Sequence, residues 1–409
     1  MTAATPPEGP SAAAGGNRSR APGETPGARE TPGAGAGAVH QFIPALIPRD
    51  ATGSHTLLLR DALRRAGWRS EIFTEATHDE LVAETLPATS YARHAEPGDV
   101  LVYQLCTSSM VADLLLERPE PLILDYHNVT HPDLYAGWEP ATARRVTAAR
   151  EQLRRLAPKA TLGVAVSEFN ERDLRAAGCR RTAVVPVLAD LGRLAAPDPA
   201  VLARLEATKG QGGSDWLFVG RVVPSKAQHD LVKALWAYRR LYDPLARLHL
   251  VGSVSSPRYL RALRSFVADL DLGDAVVVTG EVSEPALAAY YAAADIYVSM
   301  SLHEGFGVPL VEAFRTGTPV VALAAGAVPS TVGDAALLLD RAEPLRTAAA
   351  VHRVLSDTAV RDRLVTNGRR RLESLSLDEA ARIRVQLFAG VAGPPHGDPA
   401  AFAAGVGGR

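Results

Sequence analysis

The amino-acid sequence predicts an α/β protein of two doubly wound domains, each a parallel sheet covered by helices on both faces. Its 409 residues suffice for two domains of roughly 150 residues each, together with tails. Short apolar runs alternate with amphipathic helical patterns, and this alternation favours parallel pairing of the strands. The alternation stops once, at residues 191–214, and then starts again.

The first series of strands and helices spans residues 39–190 and predicts the first domain. Its strand patterns are VHQFIPAL, SEIFTE, DVLVYQL, LILDYH, LGVAV and TAVVPV. Helical patterns separate them, among them SHTLLLRDALRRAG, which Gly67 ends, and a long pattern at residues 139–157. Residues 191–214 then indicate a linker that contains one short helix.

The second series spans residues 215–375 and predicts another doubly wound domain. Its strand patterns are WLFVG, RLHLVG, AVVVTG, DIYVSM, PVVAL and AALLLD. Helical patterns lie near residues 226–242, 257–271, 284–293, 309–316, 342–355 and 358–373. A last helix is predicted at residues 376–392. Ligands of such sheets bind beyond the carboxyl ends of the strands, so a cleft between the two domains is the expected site.

Both ends of the chain have a different composition. Residues 1–38 and 393–409 are rich in Ala, Gly and Pro and have no apolar periodicity. Such segments bury too little apolar surface to offset the entropy of ordering, so both are predicted to be disordered.

Composition excludes several classes of function. The formal net charge of -1 provides no overall field for nucleic acid, so no nucleic-acid partner is expected. The two cysteines, Cys106 and Cys179, lie in or beside apolar stretches, which predicts buried free thiols and a reducing compartment. The sequence has no apolar run of the roughly 20 residues that a membrane span needs. A cytoplasmic protein is predicted, with peripheral contact at the inner face of the membrane left open.

The stretch SLHEGFGVPLVEAFRTGTPV at residues 301–320 carries the strongest chemical signal. Gly305 and Gly307 allow the backbone to approach a ligand closely, and a helix is predicted to begin directly after them. The N–H groups and the partial positive charge at a helix N-terminus suit a diphosphate. Glu304 and Glu312 are expected to reach the same pocket, where carboxylates accept hydrogen bonds from sugar hydroxyls.

A second signal is FVGRVVPSKA at residues 218–227. A buried strand is predicted to end at Gly220, so Arg221 and Lys226 would flank the turn that opens into the cleft. A leaving nucleoside diphosphate gains negative charge, and a guanidinium and an ammonium held there would stabilise it in the transition state.

These segments resemble the retaining glycosyltransferases of family 4, which have the GT-B fold. Glu304 and Glu312 have the spacing of that family's glutamate pair, within the context E-G-F-G-x-P-x-x-E-A. The resemblance covers most of residues 215–375 and includes G-R-x-x-P-x-K at 220–226, VGS at 251–253 and TGEV at 279–282.

The resemblance implies a role for each matched residue of the second domain. Glu304 would lie near the donor sugar and Glu312 near the ribose. Arg221 and Lys226 would bind the diphosphate, and the backbone near Val282 would meet the base. The rest of the implied donor-binding set is Gly220, Gly305, Phe306, Gly307 and Val308.

The first domain matches more loosely. DYHNVT at residues 125–130 and AVSEFNERDL at 165–174 resemble a bacterial subset of the family, in which the histidine that ends a central strand lies near the reacting centre. That position is His127 here. Many members carry two glycines after the first strand, close to the donor. This sequence has only Gly53 there, in Thr-Gly-Ser-His, so the resemblance implies a donor contact by a single glycine.

Each assignment has a simpler alternative. The two glutamates could be a solvated pair, the two cations ordinary surface charges, and His127 or His55 a structural histidine. Asn128-Val-Thr130 has the form of a glycosylation acceptor, but that chemistry requires secretion. Asp269-Leu-Asp271 has the spacing of metal-binding carboxylates, but it ends an amphipathic helix and reads better as solvated.

The sequence therefore predicts transfer of a hexosyl group from a nucleoside diphosphate sugar, UDP- or GDP-linked, to an acceptor hydroxyl. Retention of configuration, and a place in bacterial glycan, polysaccharide or glycolipid synthesis, follow only from the resemblance. The acceptor could be a glycan, a lipid-linked molecule or a small molecule. No metal or other cofactor is expected, because Arg221 and Lys226 would supply the positive charge.

Three alternatives remain at this point. A nicotinamide-dependent oxidoreductase would need G-x-G-x-x-G directly after a strand, and the sequence lacks it there. A non-catalytic nucleotide-sugar-binding protein would keep the cations but lose the sugar-proximal groups. A phosphorylase or an epimerase on the same fold would differ in how the nucleotide is released.

Overall fold

The first half of the chain folds around a parallel sheet of seven strands. The computed structural model describes residues 37–393. The sheet has the order β3-β2-β1-β4-β5-β6-β7. Its strands are β1 (Val39–Leu46), β2 (Ile72–Thr77), β3 (Leu86–Pro87), β4 (Val100–Leu105), β5 (Leu122–Tyr126), β6 (Leu162–Ala165) and β7 (Thr182–Val184).

The second half folds around a parallel sheet of six strands. Its order is β10-β9-β8-β11-β12-β13. The strands are β8 (Asp215–Val219), β9 (Arg247–Val251), β10 (Val276–Gly280), β11 (Ile296–Ser299), β12 (Val320–Leu323) and β13 (Ala336–Leu339). In both sheets the order reverses next to the first strand of the half, which is the place where doubly wound sheets bind ligands.

Helices connect the strands and cover the faces of the sheets. They are α1 (Ala51–Arg65), α2 (Met110–Leu116), α3 (Asp133–Ala136), α4 (Pro140–Leu156), α5 (Glu168–Ala176), α6 (Pro199–Lys209), α7 (Gln228–Leu241), α8 (Pro257–Asp269), α9 (Glu284–Ala293), α10 (Val308–Thr316), α11 (Val328–Val332), α12 (Pro344–Ser356), α13 (Thr358–Glu373) and α14 (Leu377–Ala392). Short 3₁₀ turns occur at Asp79–Glu84, Ala88–Arg93, Leu191–Leu194 and Pro224–Lys226.

The strands form where the sequence has continuous apolar runs. Every residue of β4, β5 and β9 is buried. This is the pattern of a sheet covered on both faces, because neither side of such a strand meets water. Each predicted strand is present, and the structure adds the two-residue β3. The predicted helices are also confirmed, with ends displaced by a few residues.

Two segments outside the sheets connect the halves. Leu194 and Leu205, in the stretch predicted as a linker, pack into the same buried cluster as Tyr291 and Phe314 of the second half. In contrast, α14 packs against the first half, where Phe388 shares a cluster with β1 and β4.

The predictions of disorder concern segments that lie almost wholly outside the described residues. Among the described residues, none of the helices is both long enough and apolar enough to span a bilayer.

Candidate active site

Lys226 and Glu304 form an ion pair at the carboxyl edge of the second sheet. The Lys226 Nζ atom lies 2.5 Å from Glu304 Oε1, and the two side chains are 20% and 14% exposed. Lys226 ends the 3₁₀ turn that follows β8, and Glu304 lies in the loop after β11. The two sequence signals, 78 residues apart, therefore meet at one point.

Arg221 lies in the same turn and is exposed. Its carbonyl accepts a hydrogen bond from Gln228 Nε2 at 2.8 Å, which ties the turn to the start of α7. Arg221 is also close enough to the end of β4 to act on Cys106. Burial raises the pKa of the Cys106 thiol to about 12, although the positive charge of Arg221 opposes the rise. The charge of Arg221 therefore acts on a residue of the first half, although Arg221 itself belongs to the second.

The loop between β11 and α10 presents a helix end that lacks a side-chain cap. The N-cap residue is Gly307 in a left-handed conformation, with φ of 89°, and no side chain bonds the first N–H groups of α10. The Phe306 carbonyl is held by Thr331 Oγ1 at 2.7 Å. Pro309 has no N–H, and the Leu310 N–H donates to the Gly307 carbonyl at 3.0 Å. The N–H of Val308, the first residue of the helix, is therefore the one left available to an anion.

Gly305 brings this loop against the end of β5. A Cβ atom added at Gly305 would lie 2.6 Å from Asn128 Cβ and 2.9 Å from the His127 carbonyl oxygen. Both distances are below van der Waals contact, so only glycine fits. Ser167 Oγ donates to the Gly305 carbonyl at 2.8 Å, and Asn128 Nδ2 lies 2.7 Å from His303 Nε2. These contacts bring the backbone of His127 and Asn128 in the first half against the loop that carries Glu304 in the second.

Glu312 lies one helical turn further along and is almost fully buried. One carboxylate oxygen accepts a hydrogen bond from Arg193, and the other accepts one from Tyr291 at 2.8 Å. Arg193 also lies 3.3 Å from Glu284 Oε1. Each of the two signature glutamates therefore has its own cation, Lys226 for Glu304 and Arg193 for Glu312.

His127 directly follows β5 and belongs to a buried polar cluster. Asp125 Oδ2 accepts from Arg384 Nε at 3.2 Å and lies 3.0 Å from His55 Nε2. The ring centroids of His55 and His127 are 4.7 Å apart. Burial lowers the pKa of His127 to about 3, with a further decrease from His55. Burial also lowers the pKa of His55, so both rings are neutral near neutral pH.

The atoms of this cluster are close enough for a metal ion, but their hydrogen bonds do not favour one. His55, Asp125 and His127 each offer one nitrogen or oxygen that could bind a metal, and these three atoms lie within 4.8 Å of one another. The backbone N–H of Leu188 donates to His55 Nδ1 at 2.9 Å, so Nε2 carries the ring proton and points it at Asp125. A metal would have to displace that proton while Arg384 already occupies the carboxylate.

Gly53 lies in the first turn of α1. The helix begins at Ala51, three residues before the start of the helical pattern in the sequence. Asp50 caps α1, and its Oδ2 accepts from the Gly53 N–H at 3.1 Å. A Cβ atom at Gly53 would lie 2.7 Å from the Ile47 carbonyl oxygen. The glycine thus allows α1 to pack against the end of β1.

The remaining predicted positions lie in both halves of the chain. Gly220 and Val282 follow β8 and β10 respectively, and Val282 is partly buried against the core of this half. Asp269 and Asp271 are exposed at the end of α8. Cys179 is buried and Cys106 is partly buried, and both are free thiols.

Comparison with known proteins identifies the family. Residues 206–371 match the family described as Glycosyl transferases group 1. Over 298 residues the chain is 34% identical to the D-inositol 3-phosphate glycosyltransferase of Geodermatophilus obscurus, an alignment that covers 68% of this chain and 64% of that protein. The matched part of the chain, residues 206–371, is a group 1 glycosyltransferase domain.

Another relative of this chain comes from Mycobacterium tuberculosis. It is a GDP-mannose-dependent alpha-(1-6)-phosphatidylinositol monomannoside mannosyltransferase, 36% identical over 183 residues that cover 42% of this chain and 46% of the relative. The chain thus spans between about half and two thirds of the length of these two curated relatives.

Solved structures show the same fold. The sucrose-phosphate synthase of Thermosynechococcus elongatus superposes with a TM-score of 0.70 at 23% identity, covering 86% of this chain and 98% of that one. The Anabaena protein HepE in complex with UDP and glucose superposes with a TM-score of 0.70 at 18% identity, covering 86% and 100%. The two-sheet architecture is therefore the GT-B fold that the sequence predicted.

Several residues of the candidate site gave no signal in the sequence. Arg193 lies in the predicted linker, and Arg384 lies in the last helix, far from every motif. Gln41 and Gln104 are uncharged residues inside apolar strands. For the two glutamines, the available signal was their position inside a continuous apolar run, because a polar residue there must find a buried hydrogen-bond partner.

Proposed function

We propose that this protein transfers a hexosyl group from a UDP- or GDP-linked sugar to an acceptor hydroxyl, with retention of configuration. The observation that carries the proposal is the contact of Gly305 with His127 and Asn128, beside the Lys226–Glu304 pair. It gathers a cation, a carboxylate, an uncapped helix end and a neutral histidine at one edge of the cleft. Such a set can hold a diphosphate and a sugar together.

The proposed departure of the nucleotide depends on three sources of positive charge. The leaving diphosphate gains negative charge as its bond to the sugar breaks. Arg221, Lys226 and the N-terminus of α10 would stabilise that charge. Lys226 pairs with Glu304, so the incoming diphosphate would compete for its ammonium and release Glu304 to accept hydrogen bonds from the sugar.

The proposed transfer then occurs on one face of the sugar. The bond from the anomeric carbon to the leaving phosphate oxygen breaks, and the bond to the acceptor oxygen forms on the same face. The acceptor proton moves to the departing phosphate, which leaves as the nucleoside diphosphate. The scheme requires no covalent intermediate and no metal ion.

The acceptor is proposed to bind the first half, beside His127. The two relatives are named for an inositol phosphate and a phosphatidylinositol mannoside. Both acceptors contain an inositol ring, so inositol 3-phosphate and inositol-based lipids are the first acceptors to test, before other glycans. A cytoplasmic location with peripheral contact at the inner membrane face would suit a lipid-linked acceptor.

The decisive first experiment is a thermal-shift panel of UDP, GDP, ADP and their sugar conjugates, with NAD and NADP as controls. A ligand present at 100 times its Kd raises stability by about 2.7 kcal/mol. We expect a shift with one nucleoside diphosphate series, and donor transfer with that series in a following radiolabel assay. A shift only with NAD or NADP would contradict the proposal.

The Lys226→Ala variant tests the site in the transfer assay that follows the panel. Removing one charge-stabilising group is expected to lower kcat by about 10²-fold. Lys209→Ala is the matched control. Lys209, the last residue of α6, pairs with Asp295 outside the site. Equal rates for the two variants would remove Lys226 from the proposed diphosphate role.

A further inference from the structure

A chain of buried amides leads from β1 to His127. Gln41 and Gln104 are both fully buried. Gln41 Nε2 donates to the Thr56 carbonyl at 2.9 Å, and Gln104 Nε2 donates to Gln41 Oε1 at 2.9 Å. Gln104 Oε1 then lies 2.6 Å from His127 Nε2. Two glutamines on neighbouring strands thus connect the histidine to a backbone carbonyl on α1.

The direction of these hydrogen bonds is fixed at the far end of the chain. A carbonyl oxygen only accepts, so the group that Gln41 presents to Thr56 is its amide nitrogen. Gln41 therefore presents its oxygen to Gln104, which must donate its own amide nitrogen in return. The atom of Gln104 that faces His127 is consequently an oxygen. Only a protonated Nε2 can bond to it, which assigns the tautomer of the ring.

The charge beside the ring favours the same tautomer. Asp125 Oδ1 is buried without a hydrogen-bond partner and lies 3.9 Å from His127 Nε2. Its negative charge favours a proton on that nitrogen. His55 and Arg384 both donate to the other oxygen of Asp125, and they complete the titratable and charged groups of this cluster. The neutral ring carries one proton, so Nδ1 carries none.

The Nδ1 atom of His127 is left free to accept. Among the described residues this nitrogen has no hydrogen-bond partner. It is also not sealed off from solvent, so a substrate hydroxyl can reach it. We propose that Gln104 and Gln41 are positioning residues, which fix His127 in the Nε2–H tautomer so that Nδ1 accepts a hydrogen bond from a hydroxyl of the bound substrates. The identity of that hydroxyl rests on the proposed function, whereas the tautomer does not.

The tautomer can be measured without any substrate. The full chain, labelled with ¹⁵N in its 11 histidines, gives two-bond ¹H–¹⁵N correlations that separate protonated from unprotonated ring nitrogens. The His127→Gln variant identifies the signals of this ring. We expect a protonated Nε2 and an unprotonated Nδ1 for His127. A protonated Nδ1 would overturn the proposal.

Two variants test whether the amides impose this tautomer. Gln41→Leu frees the Gln104 amide to turn over and present its nitrogen to the ring, and Gln104→Met removes the acceptor. In each we expect mixed tautomers and a kcat reduced about tenfold, the equivalent of one hydrogen bond. The donor KM should change less than about twofold, because the variants disturb only the hydrogen bond at His127 and leave the other donor contacts in place.

Gln152→Leu is the matched control, because this amide lies in the same half and bonds to Ser109 instead. It should leave both the tautomer and kcat unchanged. A single tautomer with full kcat in Gln41→Leu and Gln104→Met would contradict the positioning role. If wild type shows the expected tautomer but transfers no sugar from any donor, the proposed function fails and the tautomer assignment stands.

Discussion

At the scale of single residues, the buried and partly buried carboxylates of the site are each held by a cation from elsewhere in the chain. Glu304 pairs with Lys226, Glu312 with Arg193 and Asp125 with Arg384. A carboxylate removed from water is costly unless it is paired and hydrogen-bonded, so the partners are as necessary as the acids. The motifs identified the two glutamates and Lys226, but neither arginine, because pairing across more than 100 residues leaves no local pattern.

Arg193 is expected to act as a positioning residue for Glu312. In the Arg193→Met variant the carboxylate loses a charged hydrogen bond, worth roughly 1.5–3 kcal/mol, and with it the orientation that the proposed ribose contact requires. We expect the donor KM to rise about tenfold with a smaller change in kcat. Comparison of the normal donor with its 2′-deoxyribose analogue should show reduced discrimination in the variant.

The control for this prediction is Arg204→Met, since Arg204 is exposed on α6 and outside the Glu312 network. Its donor KM and its discrimination should match wild type. Unchanged discrimination in Arg193→Met, with a lower stability alone, would make Arg193 a purely structural residue.

At the scale of elements, the last helix is the least expected contributor to the site. The helix α14 was predicted from its pattern, yet the face that it buries depends on the first sheet. Arg384 on this helix is fully buried, donates to Asp125 Oδ2 at 3.2 Å and bonds the carbonyls of Pro186 and Val185 at 2.6 and 3.1 Å. The arginine thereby joins α14, β5 and the chain that leaves β7. Its charge also holds the pKa of Asp125 well below the usual range, against the effect of burial.

Arg384→Met is expected to destabilise the protein strongly. Removing one partner of a buried ion pair leaves an uncompensated charge and costs about 3–5 kcal/mol. Urea denaturation followed by circular dichroism measures the loss. Arg382→Met provides the control on the same helix, because Arg382 pairs with Glu379 at the surface and such pairs contribute little.

A second variant separates charge from packing in this prediction. Adding Asp125→Asn to Arg384→Met removes the stranded charge and should recover part of the lost stability. If Arg384→Met is no less stable than Arg382→Met, the buried pair does not hold α14 in place.

At the scale of the whole molecule, the carboxyl edges of two separate sheets meet through a few polar contacts. Asn128 bonds His303, Ser167 bonds Gly305, and Arg49 lies 2.9 Å from Glu281 across the same cleft. Neither sheet alone contains both His127 and Glu304. The site therefore exists only when the two halves are folded and apposed.

The same arrangement predicts a loss of stability in acid. Burial lowers the pKa values of His55, His127 and His303 in the folded state. As pH falls below about 6.5, the unfolded chain binds protons that the folded protein does not. The free energy of unfolding should therefore fall with pH, by up to about 1.4 kcal/mol per pH unit for each such histidine.

Denaturant titrations at several pH values between about 7 and 5 check this slope, which follows the unfolded-state histidine titration. The His127→Gln variant should show a shallower slope, because one of the depressed groups is gone. His131→Gln is the control, since the His131 side chain is 54% exposed and its variant should parallel wild type. A flat stability profile in wild type would contradict the neutral, buried state of these rings.

The sequence by itself determined the two sheets and the residues of the local motifs. Apolar runs and helical periodicity specify elements because burial is repeated every two or every 3.6 residues. The glycines and charges at 218–227 and 301–320 specify turns and helix ends for the same local reason. What the sequence could not determine is which distant side chain meets which.

Only the tertiary structure decided the partners that complete the site. Arg193 looked like part of a linker, and Arg384 like any residue of a terminal helix. Gln41 and Gln104 looked like polar interruptions of two strands. Each acquires its role through a buried hydrogen bond to a residue far along the chain, and such bonds follow from the packing of the sheets and from the need to satisfy every buried polar group.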